Sequence, residues 1–550
     1  MKRSQIAPPA SASASDEVED TDAKINKDDR FSGLPDEVVH RILSPLPYSD
    51  VIRVGSLSKR CRQVGSSIPT LNFSQFPSDS TDTFDKRLEL LASLDNFFSR
   101  RQLANGKDKI RLQTFDLEWE FPHHGFERDT NIPNWRDNEA RRVCASIRNA
   151  VDCRLENLSV FYGIWSSANA KREPVEFPCC AFNCGSLKSI DLEMFDTIIK
   201  ARSIATCTVS NLVCLRLKEV TVEDGDGFCK WVSSACRFLK ELVLKDVARL
   251  QNITIESPSL KSFRLHLISG WSPLHHLHIS AEKLERVNIA CNGRPLEISA
   301  PNLRYLRMQW RGTKMMNIRN PGEFNRLEKA ELEVVHNQPG VEMETASHDQ
   351  FLLSSVVQSV KVLALHDRWT ITTLSKEGCT APPLHNVWCL RMSTWSFDEF
   401  DNNLVPTVAS LFKRLPNLNT LEIYVSHLFG IPEHGFDSAY WQLQNLDFIS
   451  QLKHVTLELE VSEGFNDSNL IEFARYVLEH AQNLKKMAVI CEPSQSRLIS
   501  SIRSVTSTSN ASVVFLEKGS ICTSVIWHAY SAGSVQELNN RLIDPLPDVA

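Results

Sequence analysis

The residues able to do chemistry in this sequence are scattered rather than gathered. His275, His276 and His278 fall within four positions, and alternation along an extended chain puts His276 and His278 on one face, as a metal-binding imidazole pair would stand. A metal centre needs further donors, and Leu274, Leu277 and Ile279 account for the segment as core alternating with surface, so no metal site is expected. Cys179, Cys180 and Cys184 lack a matching C-x-x-C partner or a nearby histidine pair and read as buried or surface thiols. Asn105-Gly106-Lys107 lacks the rest of a phosphate-binding loop, and neither G-x-S-x-G nor H-E-x-x-H occurs. Glu118 and Glu120 share a strand face, as a general acid/base pair would. Nothing around them calls for a raised pKa, and Trp119 between them reads as ordinary surface alternation. No catalytic residue, metal or cofactor is therefore expected.

Composition points the same way. The chain has 550 residues, 42% hydrophobic and 23% charged, enough for three or four units at roughly 150 residues each. Glycine is scarce (20 residues) while leucine reaches 60, which favours packing over glycine-rich phosphate cradles. A net charge of -6 offers no basic field, so neither nucleic acid nor membrane is an expected partner. Fifteen cysteines in so long a chain read as reduced thiols. No apolar stretch of signal-peptide or membrane-spanning type is found, so the cytosol or nucleus is the expected compartment.

The elements that must position any function begin after residues 1–30, a Pro/Ala/Ser-rich then acidic tail without aromatics that cannot offset its own ordering entropy. From Phe31 the composition changes. Leu34-Pro35 followed by Asp36 and Glu37 suits a helix start. Val38, Ile42 and Leu46 recur at helical spacing beside Leu43, and Pro45 and Pro47 should stop that helix. Asp50 can cap a second helix carrying Val51 and Val54, and Leu57 leads into a basic third segment, Lys59 to Arg62. Such a unit is too small to close its own core and should dock on something, most simply as a cap on the following domain.

These residues also resemble a known module. Leu34-Pro35-Asp36-Glu37, Ile42-Leu43-Ser44, Leu46-Pro47, Asp50 and Leu57-Ser58-Lys59-Arg60 look like the plant form of the F-box, a three-helix unit that binds a Skp-type adaptor; the unit is assigned to residues 31–76. The resemblance implies adaptor contacts at Leu34, Pro35, Ile42, Leu43, Leu46, Val51 and Leu57. Two positions depart from the pattern: Cys61 stands where the family usually has Trp, and Pro45 takes a place usually apolar and compatible with a helix.

From about residue 110 the pattern L-x-x-L-x-L keeps returning. Copies begin at Leu155, Leu187, Leu212, Leu239, Leu260, Leu284, Leu303 and Leu327, with further ones at Val360, Val387, Leu418, Leu452 and Leu484, and Leu112 as a candidate first. Starts from 187 to 327 differ by 25, 27, 21, 24, 19 and 24 residues, the period of leucine-rich repeats. The paired apolar residues of L-x-L face one side of a strand, and one unit cannot bury that side alone, so units stack into a curved solenoid with a parallel sheet. Ile253-x-Ile255, Leu277-x-Ile279 and Leu296-x-Ile298 each precede a strand leucine by the same offset, so the central repeats align closely. Later spacings of 27 to 34 imply longer units or inserted helices.

The residue between the paired apolar positions should face outward on the concave sheet. In order these are Asp191, Arg216, Val243, Arg264, Asn288, Arg307, Glu331, Ala364, Arg391, Glu422 and Thr456. Arg216, Arg264 and Arg307 could form a basic ladder for an acidic peptide, phosphate or carboxylate, or simply be solvated positions paired with neighbours such as Glu193 or Glu331. Near the C-terminus, Phe473-Ala474-Arg475-Tyr476-Val477-Leu478 and Asn483-Leu484-Lys485-Lys486-Met487 resemble the FBD module that ends many plant F-box leucine-rich proteins.

The expected architecture is α/β, a small helical F-box followed by a curved leucine-rich solenoid with a parallel sheet. Repeats are assigned to 110–447 and an FBD-like module to 448–516, where Val513-Val514-Phe515 can add an edge strand; 517–550 stays unassigned. The resemblance implies a non-catalytic substrate receptor of an SCF-type ubiquitin ligase, partnered by a Skp-type adaptor and, through it, a cullin, with an unidentified target protein on the repeats. The alternative is a ligase-independent scaffold whose F-box has degenerated.

Overall fold

The computed structural model describes residues 31, 33–74, 84–104, 111–120, 135–163, 174–200, 211–267, 274–292, 296–311, 318–319, 324–335, 353–376, 382–394, 404–428, 436–461, 468–491 and 512–517. The tail expected at 1–30, the segment Asn105-Gly106-Lys107 and residues 518–550 lie outside them.

Three short helices open the described chain. Helix α1 (Asp36–Leu43) follows Pro35, and Asp36 and Glu37 sit in its first turn, where carboxylates suit the positive end of the helix dipole. Helix α2 (Tyr48–Leu57) follows Pro47. Asp50 does not cap it: the helix begins three residues earlier than Asp50 would set it, and Asp50 instead pairs with Arg53 at 2.9 Å. Helix α3 (Lys59–Ser66) is capped by Ser58, whose hydroxyl accepts the backbone N–H of Cys61 at 3.0 Å.

The remainder is a solenoid. Among the described residues sixteen strands form one sheet, from β1 (Thr70–Ser74) and β2 (Thr114–Glu120) through β3 (Asn157–Gly163) to Ser512–Glu517, each pairing with the next in chain order along the sheet. The pairs are parallel, as a stack of identical crossovers requires. The lead-in residues Leu112, Leu155, Leu187, Leu212, Leu239, Leu260, Leu284, Leu303, Leu327, Val360, Val387, Leu418, Leu452 and Leu484 are all buried. The strand at Ser512–Glu517 carries Val513-Val514-Phe515 and pairs with Lys486–Cys491. The sheet starts one unit before Leu112: Ile68, Leu71 and Phe73 are buried in the same I-x-x-L-x-F spacing, and β1 pairs with β2.

The second layer changes along the molecule. Long early units carry helices, α4 (Phe84–Ala104) and α5 (Trp135–Asp152). In the short central units Asn252–Glu256, His276–Ser280, Leu296–Ser299 and Ile318–Arg319 make a separate four-stranded parallel sheet, so the aligned middle segments are second strands. Helices return at Arg368–Lys376, Leu404–Phe412 and Ser468–His480, where the spacing lengthens. A helix advances about 1.5 Å per residue against about 3.3 Å for a strand, so a unit with more residues covers the same height only by coiling them. One continuous apolar core runs from Val39 in α1 to Val489. Among the described residues no helix is long and apolar enough to cross a membrane.

The helical unit is built into the end of this core. Tyr48 of α2 packs on Phe73 of β1 and Phe97 of α4, each with ring centroids 5.5 Å apart, and its hydroxyl donates to the Ser93 carbonyl at 3.0 Å. Pro47 bridges to Asn72. The fully buried Arg101 of α4 donates to the carbonyls of Ser66 (3.1 Å), Ile68 (2.8 Å) and Arg111 (2.9 Å), tying the end of α3 to the first two repeats.

Candidate functional site

Two surfaces are candidates. The first is on α1 and α2. Six large apolar side chains stand exposed among the described residues, and four of them, Val38, Ile42, Ile52 and Leu57, fall between positions 38 and 57. That concentration separates them from isolated surface hydrophobes such as Phe238 and Leu443. Helix α1 has two apolar stripes one residue apart: Val39 and Leu43 enter the core, while Val38 and Ile42 face out. In α2, Tyr48, Val51 and Gly55 face in, and Ile52 and Leu57 face out, Leu57 being 75% exposed.

Of the residues expected to contact an adaptor, Ile42, Leu57 and Pro35 are exposed, and Leu34 and Leu46 are half-buried against the core. Leu43 and Val51 correct the expectation. They are 1% and 4% exposed, because the same i, i+4 spacing that makes a stripe serves the inward face first. Val38 and Ile52 are the apolar residues exposed beside them, and the offset doublets Val38-Val39 and Ile42-Leu43 were the available signal. Arg60 reaches back to the Leu34 carbonyl and to Asp36 (3.2 Å), fixing the N-terminal turn. Cys61 is buried.

The second surface is the concave sheet. Strand registers align Asp116, Ser159, Asp191, Arg216, Val243, Arg264, Asn288, Arg307, Glu331, Ala364, Arg391, Glu422 and Thr456 in one row, which contains every residue named from the repeat pattern. The row is a charge mosaic more than a ladder. Arg216 bridges Asp191 at 3.4 Å and Glu241 at 3.2 Å, Arg307 lies 3.7 Å from Glu331, and Arg391 meets Glu422 at 2.7 Å. Burial pulls Arg264 below the usual guanidinium range; Glu241 opposes this, and the cations of Arg216 and Arg286 add to it.

The acidic start of the surface differs from expectation. Trp119 is fully buried, because β2 packs its odd positions against α4 and α5. Its Nε1 donates to Glu139 at 2.9 Å, Glu139 takes two hydrogen bonds from Arg87 (2.9 and 2.8 Å), and the Arg87 guanidinium lies 4.6 Å over the Trp119 ring. Glu118 is raised from the ordinary carboxylate range by burial, then by Glu120 and Asp116. Asp116 is raised as well, mainly by burial. Burial pushes the thiols of Cys144, Cys229 and Cys389 up to about 11 and those of Cys236 and Cys291 up to about 12, which keeps these five protonated. His276 and His278 do share a face, 6.4 Å apart, and His278 Nδ1 lies 3.1 Å from Glu297. No group of three or more His, Cys, Asp or Glu placed to hold a metal occurs among the described residues.

Comparison with known proteins agrees with this division. The F-box domain matches residues 31–71, which covers α1 to α3 and the first residues of β1. An F-box/FBD/LRR-repeat protein of Arabidopsis thaliana is 22% identical over 500 residues, spanning 90% of this chain and 93% of its own. A second Arabidopsis F-box/FBD/LRR-repeat protein is 28% identical over 43% of this chain and 49% of its own, and an FBD-associated F-box protein is 24% identical over 84% and 89%. With an F-box match at the head of a leucine-rich solenoid, this chain is similar over most of its length to plant F-box/FBD/LRR-repeat proteins.

Proposed function

We propose that the chain is the substrate-recognition subunit of an SCF-type (Skp, cullin, F-box) E3 ubiquitin ligase. The observation that carries this reading is the set of exposed apolar side chains on the F-box helices, Val38, Ile42, Ile52 and Leu57, at the end of a solenoid whose own core is closed. Leaving such side chains in water is unfavourable, and a Skp-type adaptor, with the cullin behind it, covers them. The concave row holds a target protein, with Arg216, Arg264 and Arg307 among the groups that meet it. The chain supplies no catalytic residue. Rate comes from tethering target and charged ubiquitin carrier on one assembly, which raises their effective concentration, in the cytosol or nucleus.

Direct binding to a purified plant Skp-type adaptor tests the reading. Wild type binds, and the double variant Ile42→Ala/Leu57→Ala binds at least about tenfold more weakly with unchanged thermal stability. Leu43→Ala lowers stability instead, by about 2–5 kcal/mol. A ligase-independent scaffold remains the second reading, because the position usually held by Trp carries the small buried thiol of Cys61. Wild type that ignores the adaptor while Cys61→Trp binds it decides for the scaffold.

A further inference from the structure

A cleft of about 570 Å³ opens at the edge of the solenoid where the first strands begin. It is walled by the lead-in turns of successive inner strands: Arg111 stands before Leu112, Arg154 before Leu155, Ser186 before Leu187 and Asn211 before Leu212. At this position five later repeats carry an amide spent on the backbone, while Phe238, Ser259, Lys283, Arg326 and Ser359 hold it in others. Asn302, Asn386, Asn417, Gln451 and Asn483 each donate to a carbonyl in the lead-in turn of the preceding unit. Asn211 does the same with Gly185, and the Ser186 hydroxyl donates to the Leu155 carbonyl. In the two units before them the same position holds a guanidinium.

Three cations and one carboxylate line this cleft. Lys188 pairs with Glu156 at 2.8 Å, and that hydrogen bond, with the charges of Lys188 and Arg111, holds Glu156 below the ordinary carboxylate range. Among the described residues neither Arg111 nor Arg154 forms an ion pair. Arg154 has φ 59°, a left-handed conformation that follows the end of α5 and that glycine would adopt without strain. A long cationic side chain is kept there at a conformational cost.

We propose that this cleft binds a small multivalent oxyanion, a phosphate ester or polycarboxylate. Arg111 and Arg154 supply two planar forks from adjacent turns, and Lys188, shared with Glu156, supplies a third charge. The volume is that of a small-molecule site. A ligand here clamps the Leu112 and Leu155 turns, which a backbone hydrogen bond from Leu112 to the Cys153 carbonyl (3.1 Å) joins without an amide rung, on an edge distinct from both the concave row and the adaptor-facing helices.

Calorimetric titration of the full chain with pyrophosphate and, separately, with citrate, at a fixed salt concentration of about 0.15 M, tests the proposal. Saturable one-to-one binding to wild type is expected with at least one of the two, together with a raised thermal midpoint. Binding of pyrophosphate alone assigns a phosphate ester, and of citrate alone a polycarboxylate. Arg111→Ala and Arg154→Gly each weaken binding about tenfold or more. Arg154→Gly suits the backbone, so its loss of binding cannot be laid to misfolding. Lys240→Ala, an exposed charge beside a later lead-in residue, binds as wild type does. Absence of saturable binding to both anions overturns the assignment. So does equal weakening by Lys240→Ala, which would reveal a diffuse field, or undiminished binding by Arg154→Gly.

Discussion

At the scale of single residues, the ionic groups that matter most to this protein lie inside it. Arg87, Glu139 and Trp119 form a fully buried set in which every strong donor finds an oxygen. Glu139→Gln leaves the Arg87 cation buried without its counter-charge and should cost about 3–5 kcal/mol in urea denaturation. Replacing both partners, as in Arg87→Met/Glu139→Leu, should recover part of that loss, the remainder reflecting the orphaned Trp119 N–H. A single-variant cost below about 1 kcal/mol would show that water reaches the pair. Glu219 gives the pH prediction. It is half-buried after the strand Cys214–Lys218, with φ 55°, and burial, then the charge of Asp246, pushes it up to about 7 against the pull of Lys245. Between the ordinary carboxylate range and about 7 the folded chain holds a proton that the unfolded chain has released, so stability falls as pH rises through that window. Urea midpoints measured from pH 5 to pH 8 should decline more for wild type than for Glu219→Gln. Parallel curves would sink the assignment.

At the scale of elements, the amide ladder is a stabilising device made of repetition. Asn417→Ala removes one rung, the hydrogen bond to the His385 carbonyl, and should lower stability by about 0.5–1.5 kcal/mol in chemical denaturation. Asn386→Ala should lose a similar amount, and a loss near zero at both sites would mean that water replaces the rungs. The elements themselves were largely legible. L-x-x-L-x-L marked inner strands because a buried side chain at a fixed offset is the one thing every unit needs, whereas the constant offset of Ile253, Leu277 and Leu296 marked only the alignment of the central units, and their pairing into a second sheet is a finding of the structure. The first unit, Ile68-x-x-Leu71-x-Phe73, was hidden because it follows the F-box helices without a break in composition. Trp119 and Leu43 were misread for one reason: alternation says which residues share a face, and only the layer behind the strand or helix says which face is wet. The offset between Val38 and Val39 carried that information, though only as a doublet in a short helix.

At the scale of the whole molecule, the F-box is the first block of the solenoid as much as an attachment to it. Arg101, Tyr48 and the Pro47–Asn72 bridge cross the boundary, and β1 covers the edge of β2. A chain lacking residues 31–74 should therefore expose Phe97 and an unpaired parallel edge, and should elute from size exclusion as aggregate. A monodisperse, helical and cooperative truncated chain would contradict this. The continuous sheet also fixes distance. Neighbouring strands lie about 4.8 Å apart, so sixteen of them form a graduated arc roughly 70 Å long, read from an origin at the F-box. A cargo seated at Arg216 and one seated at Arg391 would be carried at different radii and bearings from the same hub. Gaining or losing one unit in between would move everything beyond it by a fixed step and a small turn, leaving each contact intact. Under the proposed ligase reading, the number of graduations, as much as the grip at any one of them, would decide which lysine of a cargo comes within reach.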